Sequence, residues 1–161
     1  MARESGIEGF CYYHYWMGNG KVLLGRPFRE VLESGSPDFP FCLCWANHEW
    51  TTKTWQKDGK TKMIAPMLYP GDEDYINHFN YLLPAFKDQR YICVDGKPLF
   101  CIYDPYHFKD VTRLITLWQK LAQDNGLSGI YFTAMVNNTT TIKRRDDGSL
   151  ERVLPNLNSS R

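Results

Sequence analysis

The stretch FPFCLCWA, residues 39–46, is a continuous apolar run between the turn residues Asp38 and Asn47. A short apolar run of this kind is typical of a strand that is buried on both faces, as in a parallel sheet. Three further runs of the same character lie at residues 7–16 (IEGFCYYHYW), 99–103 (LFCIY) and 129–136 (GIYFTAMV). The sequence therefore predicts four principal strands, and a turn at residues 95–98 predicts that residues 91–94 form a small strand that pairs locally.

Between these runs, apolar residues repeat at helical spacing in three segments, at residues 27–35, 72–86 and 110–125. The first begins with a proline, and the third is followed by Gly126, a common helix stop. Pro84 is expected to kink or shorten the second helix. Strands that alternate with amphipathic helices form βαβ units with right-handed crossovers, so the predicted fold class is α/β with a parallel sheet.

The size of the chain bears on the architecture. A closed (β/α)8 barrel takes about 250 residues, whereas this chain has 161 residues and four predicted principal strands. We therefore expect about half of such a barrel over residues 1–138, followed by a polar, flexible segment at residues 139–161. Half a barrel exposes sheet edges, which predicts self-association or coverage by a missing barrel half.

Charge and composition exclude several kinds of partner. The chain has 19 basic and 18 acidic residues and a net charge of +1, so no global field would attract nucleic acid. No apolar run reaches the roughly 18 residues of a membrane span, and the N-terminal residues do not resemble a signal peptide. An odd number of cysteines inside apolar runs predicts buried free thiols and a cytoplasmic location. These cysteines are Cys11, Cys42, Cys44, Cys93 and Cys101.

Candidate site residues follow from the strand ends. In parallel α/β folds, ligands bind beyond the carboxyl ends of the strands, where the loops gather. The predicted strands deliver to that edge the residues Tyr13, His14, Tyr15, Trp16, Trp45, Asn47, His48, Glu49, Trp50, Tyr103, Asp104 and Asn137. Sugars present apolar C–H faces and rings of hydroxyl groups, so aromatic rings mixed with polar groups suit a glycan.

Core packing is the alternative interpretation for the aromatic residues, because strands favour such side chains. His14 in particular can equally be a core histidine with a hydrogen-bond partner. The loop at residues 47–70 is longer than a routine connection, so it either forms a wall or lid over the site or is a solvated excursion with a hairpin turn at residues 58–59.

Glu49 and Asp104 are the two carboxylates that this interpretation places at strand ends. Glycoside cleavage normally needs two carboxyl groups. Glu49, flanked by His48 and Trp50, is predicted to have a raised pKa and to act as the acid, with Asp104 as base, nucleophile or substrate ligand. A metal site is not predicted, because the acidic run at residues 72–74 opens a helix, where the helix dipole explains it. No glycine-rich phosphate loop is present, and we expect no cofactor.

Several segments together resemble the WbsX-like family. They are GFCYYHYW at residues 9–16, RPF at 26–28, PDFPFCLCWAN at 37–47, and Tyr91 with DGKP at 95–98. The family's members are often encoded with bacterial lipopolysaccharide and O-antigen genes and are labelled glycosyltransferases. The family is also similar to the (β/α)8 barrels of glycoside hydrolase family 99.

Two departures limit what the resemblance implies. The family pattern after Trp-Ala-Asn looks like Glu-Asn-Trp, whereas this chain has His48, Glu49 and Trp50. The Glu-Trp-x-Glu segment associated with catalysis in family 99 is absent from the sequence. The resemblance implies action on bacterial surface polysaccharide, by hydrolase-type carboxylate chemistry or by glycosyl transfer. A non-catalytic glycan-binding or inactive fragment is the third alternative.

Overall fold

The computed structural model describes residues 2–52, 61–135, 142–144 and 150–152. Its three α-helices are α1 (Arg26–Ser34), α2 (Asp72–Phe86) and α3 (Val111–Asp124). Its strands are β1 (Phe10–Trp16), β2 (Val22–Leu23), β3 (Phe41–Trp45), β4 (Trp50–Thr51), β5 (Met63–Ala65), β6 (Cys93–Val94), β7 (Lys97–Ile102), β8 (Tyr131–Ala134), β9 (Ile142–Arg144) and β10 (Leu150–Arg152).

One six-stranded, mainly parallel sheet organises the chain. β1, β3, β7 and β8 lie side by side in that order, and each neighbouring pair is parallel. The short strands β2 and β6 pair antiparallel with β1 and β7. The four predicted principal strands, the small local strand and the α/β class are therefore confirmed. All four parallel strands end at the same edge of the sheet.

The three helices match the predicted segments to within about one residue at most ends. α2 begins with three acidic residues, whose negative charges interact favourably with the positive end of the helix dipole. The helix ends two residues after Pro84. α1 has Pro27 in its first turn and ends at Gly35, whose φ of +68° suits a residue without a side chain. Within the described parts of the chain, no helix is long and apolar enough to cross a membrane.

The core lies between one face of the sheet and the helices. Phe41, Leu43 and Phe100 from the sheet are buried against Phe79 of α2 and Trp118 of α3, and each of these side chains is at most 1% exposed. Burying one large apolar side chain stabilises the fold by roughly 1.5–3 kcal/mol before the entropy cost. This packing holds the helices against one face of the sheet. The carboxyl edge of the sheet lies outside the core and is available for a functional site.

The opposite face of the sheet carries exposed side chains. Tyr13, Tyr131 and Met135 are each at least 40% exposed, and the Tyr13 hydroxyl lies 4.0 Å from the Met135 sulfur. Cys11 is exposed on the same face as Tyr13, because residues two apart on a strand share a face.

The prediction that all five cysteines are buried was wrong for two of them. All five are free thiols, but Cys11 and Cys93 are exposed, whereas Cys42, Cys44 and Cys101 are buried. Cys11 lies near the start of β1 on the sheet face away from the helices. Cys93 lies in the two-residue strand β6. Among the described residues, β6 pairs with β7 and with no other strand.

The long loop after β3 contains a hairpin. β4 and β5 pair antiparallel, with Trp50 opposite Ala65. The predicted turn at residues 58–59 lies outside the described residues. In the C-terminal segment, β9 and β10 form a separate two-stranded antiparallel sheet that the sequence did not predict.

Candidate functional site

Two cavities lie at the carboxyl edge of the sheet, where the loops after β3 and β7 meet the β4–β5 hairpin. The larger has a volume of about 440 Å³ and is lined by Asn47, His48, Glu49, Met67, Tyr69, Asp104 and His107. The smaller has a volume of about 230 Å³ and is lined by Tyr15, His48, Glu49, Trp50, Thr51 and Ile64. His48 and Glu49 line both cavities, so the two cavities adjoin at these residues, and we refer to them together as the groove.

Asn47 fixes the end of β3 to the loop after β7. Its Oδ1 accepts the backbone N–H of Asp104 at 2.7 Å, and its Nδ2 donates to the Asp104 carbonyl at 2.7 Å. The same Nδ2 donates to the Tyr69 hydroxyl at 3.1 Å, and that hydroxyl donates to the Asn47 carbonyl. Burial raises the pKa of Tyr69 to about 12, although the hydrogen bond from Asn47 opposes this shift. Asn47 is 2% exposed and its amide hydrogens are both used, so it positions Asp104.

The carboxylate of Asp104 is held by its own loop. Oδ1 accepts the backbone N–H groups of Tyr106 and His107, each at 3.1 Å. Oδ2 lies 2.5 Å from Nδ1 of His107, whose side chain is 86% exposed. This contact orients the imidazole and leaves its Nε2 as the ring nitrogen available to a ligand.

The sequence analysis missed His107 and Tyr69. An Asp-x-x-His spacing in the loop after a strand end was the available signal for His107, because a turn brings residues three apart together. Tyr69 gave no such signal, since its role depends on a contact with Asn47 across 22 residues.

Five predicted aromatic or imidazole residues form a connected group, and three of them, Tyr15, His48 and Trp50, line the groove. The ring of Tyr103 lies 5.3 Å from His48 and 6.1 Å from Tyr13, measured between centroids. Tyr15 lies 6.3 Å from Tyr13 and contacts Trp50 edge-on at 5.1 Å. These separations lie in the range of favourable aromatic contacts. Glu49 is exposed beside this group.

Three other predicted residues lie in the core beneath the helices. His14, Trp16 and Trp45 are 2%, 4% and 1% exposed. The indole N–H of Trp16 donates to Oδ2 of Asp74 at 2.9 Å, and that of Trp45 donates to the Trp16 carbonyl at 2.9 Å. Their alternation along β1 and β3 turns them toward the helices, so the core interpretation applies to them. Asn137 lies outside the described residues.

No group of three or more His, Cys, Asp or Glu side chains is arranged to hold a metal ion in the part of the chain that the structure describes. The side chains that line the groove include carboxylate, imidazole, amide and aromatic groups.

Comparison with known proteins places this chain in a family. The sequence model of the family described as "Glycosyltransferase WbsX" matches residues 1–160. The chain belongs to this family. It is also 30% identical over 131 residues to the "Uncharacterized protein WxcX" of Xanthomonas campestris pv. campestris, from strain B100 and from strain ATCC 33913.

That alignment covers 81% of the chain but 18% of each WxcX protein. The chain thus spans less than a fifth of the length of the curated relatives that it matches. No solved structure matches the chain. Membership of the WbsX family is established, and the likeness to family 99 barrels stays a prediction.

Proposed function

We propose that this WbsX-family chain binds a glycan of bacterial surface polysaccharide and acts on its glycosidic bonds. The observation that carries the proposal is the groove of two cavities that share His48 and Glu49. A sugar ring needs a flat apolar surface and polar groups that hold its hydroxyls. Trp50 and Tyr15 provide the flat apolar surface in the smaller cavity, and Asp104 and His107 provide the polar groups in the larger one.

Carboxylate chemistry of the hydrolase type suits the lining of the groove. Both cavities contain a carboxylate, and among the described residues that line them none is lysine or arginine. A nucleotide-sugar donor carries a diphosphate, which proteins usually bind with cationic side chains, a metal or a glycine-rich loop. A neutral glycan needs none of these.

The two carboxylates are proposed to have different roles. Glu49 is exposed at the junction of the cavities, where it can donate a proton to the oxygen of a bond that spans both. Asp104 already accepts three hydrogen bonds within its own loop. It therefore acts through His107, whose imidazole it orients toward a water molecule or a substrate hydroxyl, as the base that complements Glu49.

Glycosyl transfer is the second candidate, and the description of the family favours it. In that case the acceptor glycan lies in the groove, and the donor binds outside it. A chain that binds glycans without acting on them is the remaining alternative.

The test incubates the 161-residue chain with bacterial surface polysaccharide, with and without nucleotide sugars. Released reducing ends without nucleotide consumption support hydrolysis, and nucleotide release supports transfer. Glu49→Gln should abolish either activity, whereas Glu33→Gln, an exposed position on α1, should leave it intact. If Glu49→Gln retains full activity, the proposed site is wrong.

We further propose that the sheet is about half of a (β/α)8 barrel and that the chain self-associates. The sequential order of four parallel strands and the exposed residues on one sheet face support this. Five free thiols support a cytoplasmic location. Light scattering should report a dimer or larger species, and a stable monomer at high concentration would contradict self-association.

A further inference from the structure

A row of thiols crosses the sheet on the face away from the helices. Cys11 of β1 is in register with Cys42 of β3, and Cys44 of β3 is in register with Cys101 of β7. All four are free; Cys11 is exposed and the other three are buried. None of them lines the groove described above, so the proposed function leaves this row unexplained.

Strand geometry limits which of these thiols can be joined. Adjacent strands lie about 4.8 Å apart, which falls within the roughly 4.4–6.8 Å that separates Cα atoms in a disulfide. Cys11 and Cys42 are in-register partners and meet this condition. Cys44 and Cys101 meet it too, but both are buried and neither offers an exposed thiol to an oxidant. Cys44 lies two residues further along β3, at a diagonal of about 8 Å from Cys11, beyond the roughly 7 Å limit. Cys42 is therefore the favoured disulfide partner of Cys11.

Cys11 is also the thiol best suited to react. Hydrogen bonds from the Cys42 and Cys44 thiols lower the pKa of Cys11 to about 3, although its partial burial opposes this shift. The hydrogen bond to Cys11, together with burial, raises the pKa of Cys42. Cys11 is thus the thiol of the pair that loses its proton more readily, and the thiolate is the nucleophilic form of cysteine.

We propose that Cys11 and Cys42 form a redox-reactive dithiol, which a hydroperoxide converts into a disulfide between β1 and β3. The Cys11 thiolate attacks the peroxide oxygen, the O–O bond breaks, and Cys11 becomes a sulfenic acid while the peroxide leaves as an alkoxide or hydroxide that takes up a proton. The Cys42 sulfur then attacks the Cys11 sulfur, and the hydroxyl group leaves with the Cys42 proton as water. Two thiols are oxidised and one hydroperoxide is reduced.

Cys93 provides a matched control within the chain. It is exposed like Cys11, but its partner across the strand pair is Pro98. Burial raises the pKa of its thiol, so less of it is thiolate at neutral pH. Cys93 should therefore react with peroxide more slowly than Cys11. It also has no thiol opposite it with which to form a disulfide.

The first experiment treats the reduced 161-residue chain with hydrogen peroxide at pH 6, blocks the remaining thiols with N-ethylmaleimide and maps the peptides by mass. We expect one linked pair, Cys11 with Cys42, which the reductant dithiothreitol reverses. Cys11→Ser should remove the linked pair, and Cys93→Ser should leave it unchanged. A disulfide that joins other cysteines, or none at all, would overturn the proposal.

The second experiment needs no variant. Iodoacetamide labelling of the unmodified chain at pH 6 should label Cys11 at least tenfold faster than Cys93, because the alkylation rate follows the thiolate fraction. Equal rates, or faster labelling of Cys93, would refute the reactivity of Cys11. Neither readout depends on glycan binding or turnover, so the result is independent of the proposed function.

Discussion

The imidazoles of His14 and His78 meet through their Nε2 atoms, 2.8 Å apart, inside the core. The His78 ring stacks on Trp16 at 4.8 Å, and its Nδ1 is buried without a hydrogen-bond partner. Burial lowers the pKa of His14 to about 3. Burial also lowers the pKa of His78, with His14 as a second cause. The folded protein thus holds both rings neutral at pH values where an unfolded histidine is charged.

The first prediction concerns stability in mild acid. Below a pH of about 6.5, the unfolded chain takes up protons at these two histidines and the folded chain does not. The free energy of unfolding should therefore fall as the pH drops from 6.5 toward 4.5, by up to about 1.4 kcal/mol per pH unit for each histidine. Urea denaturation at a series of pH values measures this slope.

The matched variants for this prediction are a His14→Leu, His78→Leu double replacement and His48→Gln. The double replacement should flatten the slope, because it removes both titrating rings. His48 is exposed in the groove, so its replacement leaves the buried pair in place and serves as the control for removing a histidine elsewhere. A steep slope that persists in the double variant would assign the pH dependence to other groups.

The histidine pair also shows where prediction from the sequence ends. Strand and helix positions were predictable because they depend on local apolar patterns, as in residues 39–46. The carboxyl-edge location of Glu49 and Asp104 followed from the rule for parallel sheets. The sequence did not indicate which face of the sheet each residue of β1 occupies, because its residues are aromatic on both faces. Tyr13 faces away from the helices, whereas His14 contacts His78, which is 64 residues away in the sequence. His107 and the hydrogen bonds of Asn47 likewise depend on tertiary contacts.

The second prediction concerns Asn47. Asn47→Ala removes both hydrogen bonds to the Asp104 backbone and leaves buried polar groups unpaired, which should cost roughly 1–3 kcal/mol of stability. Asn77→Ala, at an exposed position on α2, should change stability by less than about 0.5 kcal/mol. Urea denaturation midpoints compare the two. Equal midpoints would show that the hydrogen bonds of Asn47 add no stability.

The third prediction concerns Trp50 and follows from the proposed function. Trp50→Ala removes a ring that lines the smaller cavity and contacts Tyr15, so glycan binding should weaken by about 1 kcal/mol, or roughly fivefold. Tyr131→Ala removes an exposed ring outside both cavities and should leave the affinity unchanged. Titration calorimetry with polysaccharide fragments measures both. If Tyr131→Ala weakens binding and Trp50→Ala does not, the glycan lies on the open sheet face.

The fourth prediction concerns Arg90, which ties α1 to the start of β3. Its guanidinium forms a two-point contact with Asp88 and donates to the carbonyls of Val31 and Pro37, each at 3.1 Å. It also lies 5.4 Å from the centre of the Phe41 ring. Lysine keeps the charge but cannot reproduce the planar fork, so Arg90→Lys should cost roughly 1–3 kcal/mol.

Arg26→Lys is the matched control for Arg90. The Arg26 side chain is 82% exposed and pairs with Glu30 one turn along α1, a type of contact that contributes about 0.3–0.5 kcal/mol. Thermal unfolding should therefore shift clearly for Arg90→Lys and hardly at all for Arg26→Lys. Equal shifts would mean that charge alone stabilises this region, because both substitutions preserve the charge and only the first loses hydrogen bonds to the backbone carbonyls of Val31 and Pro37.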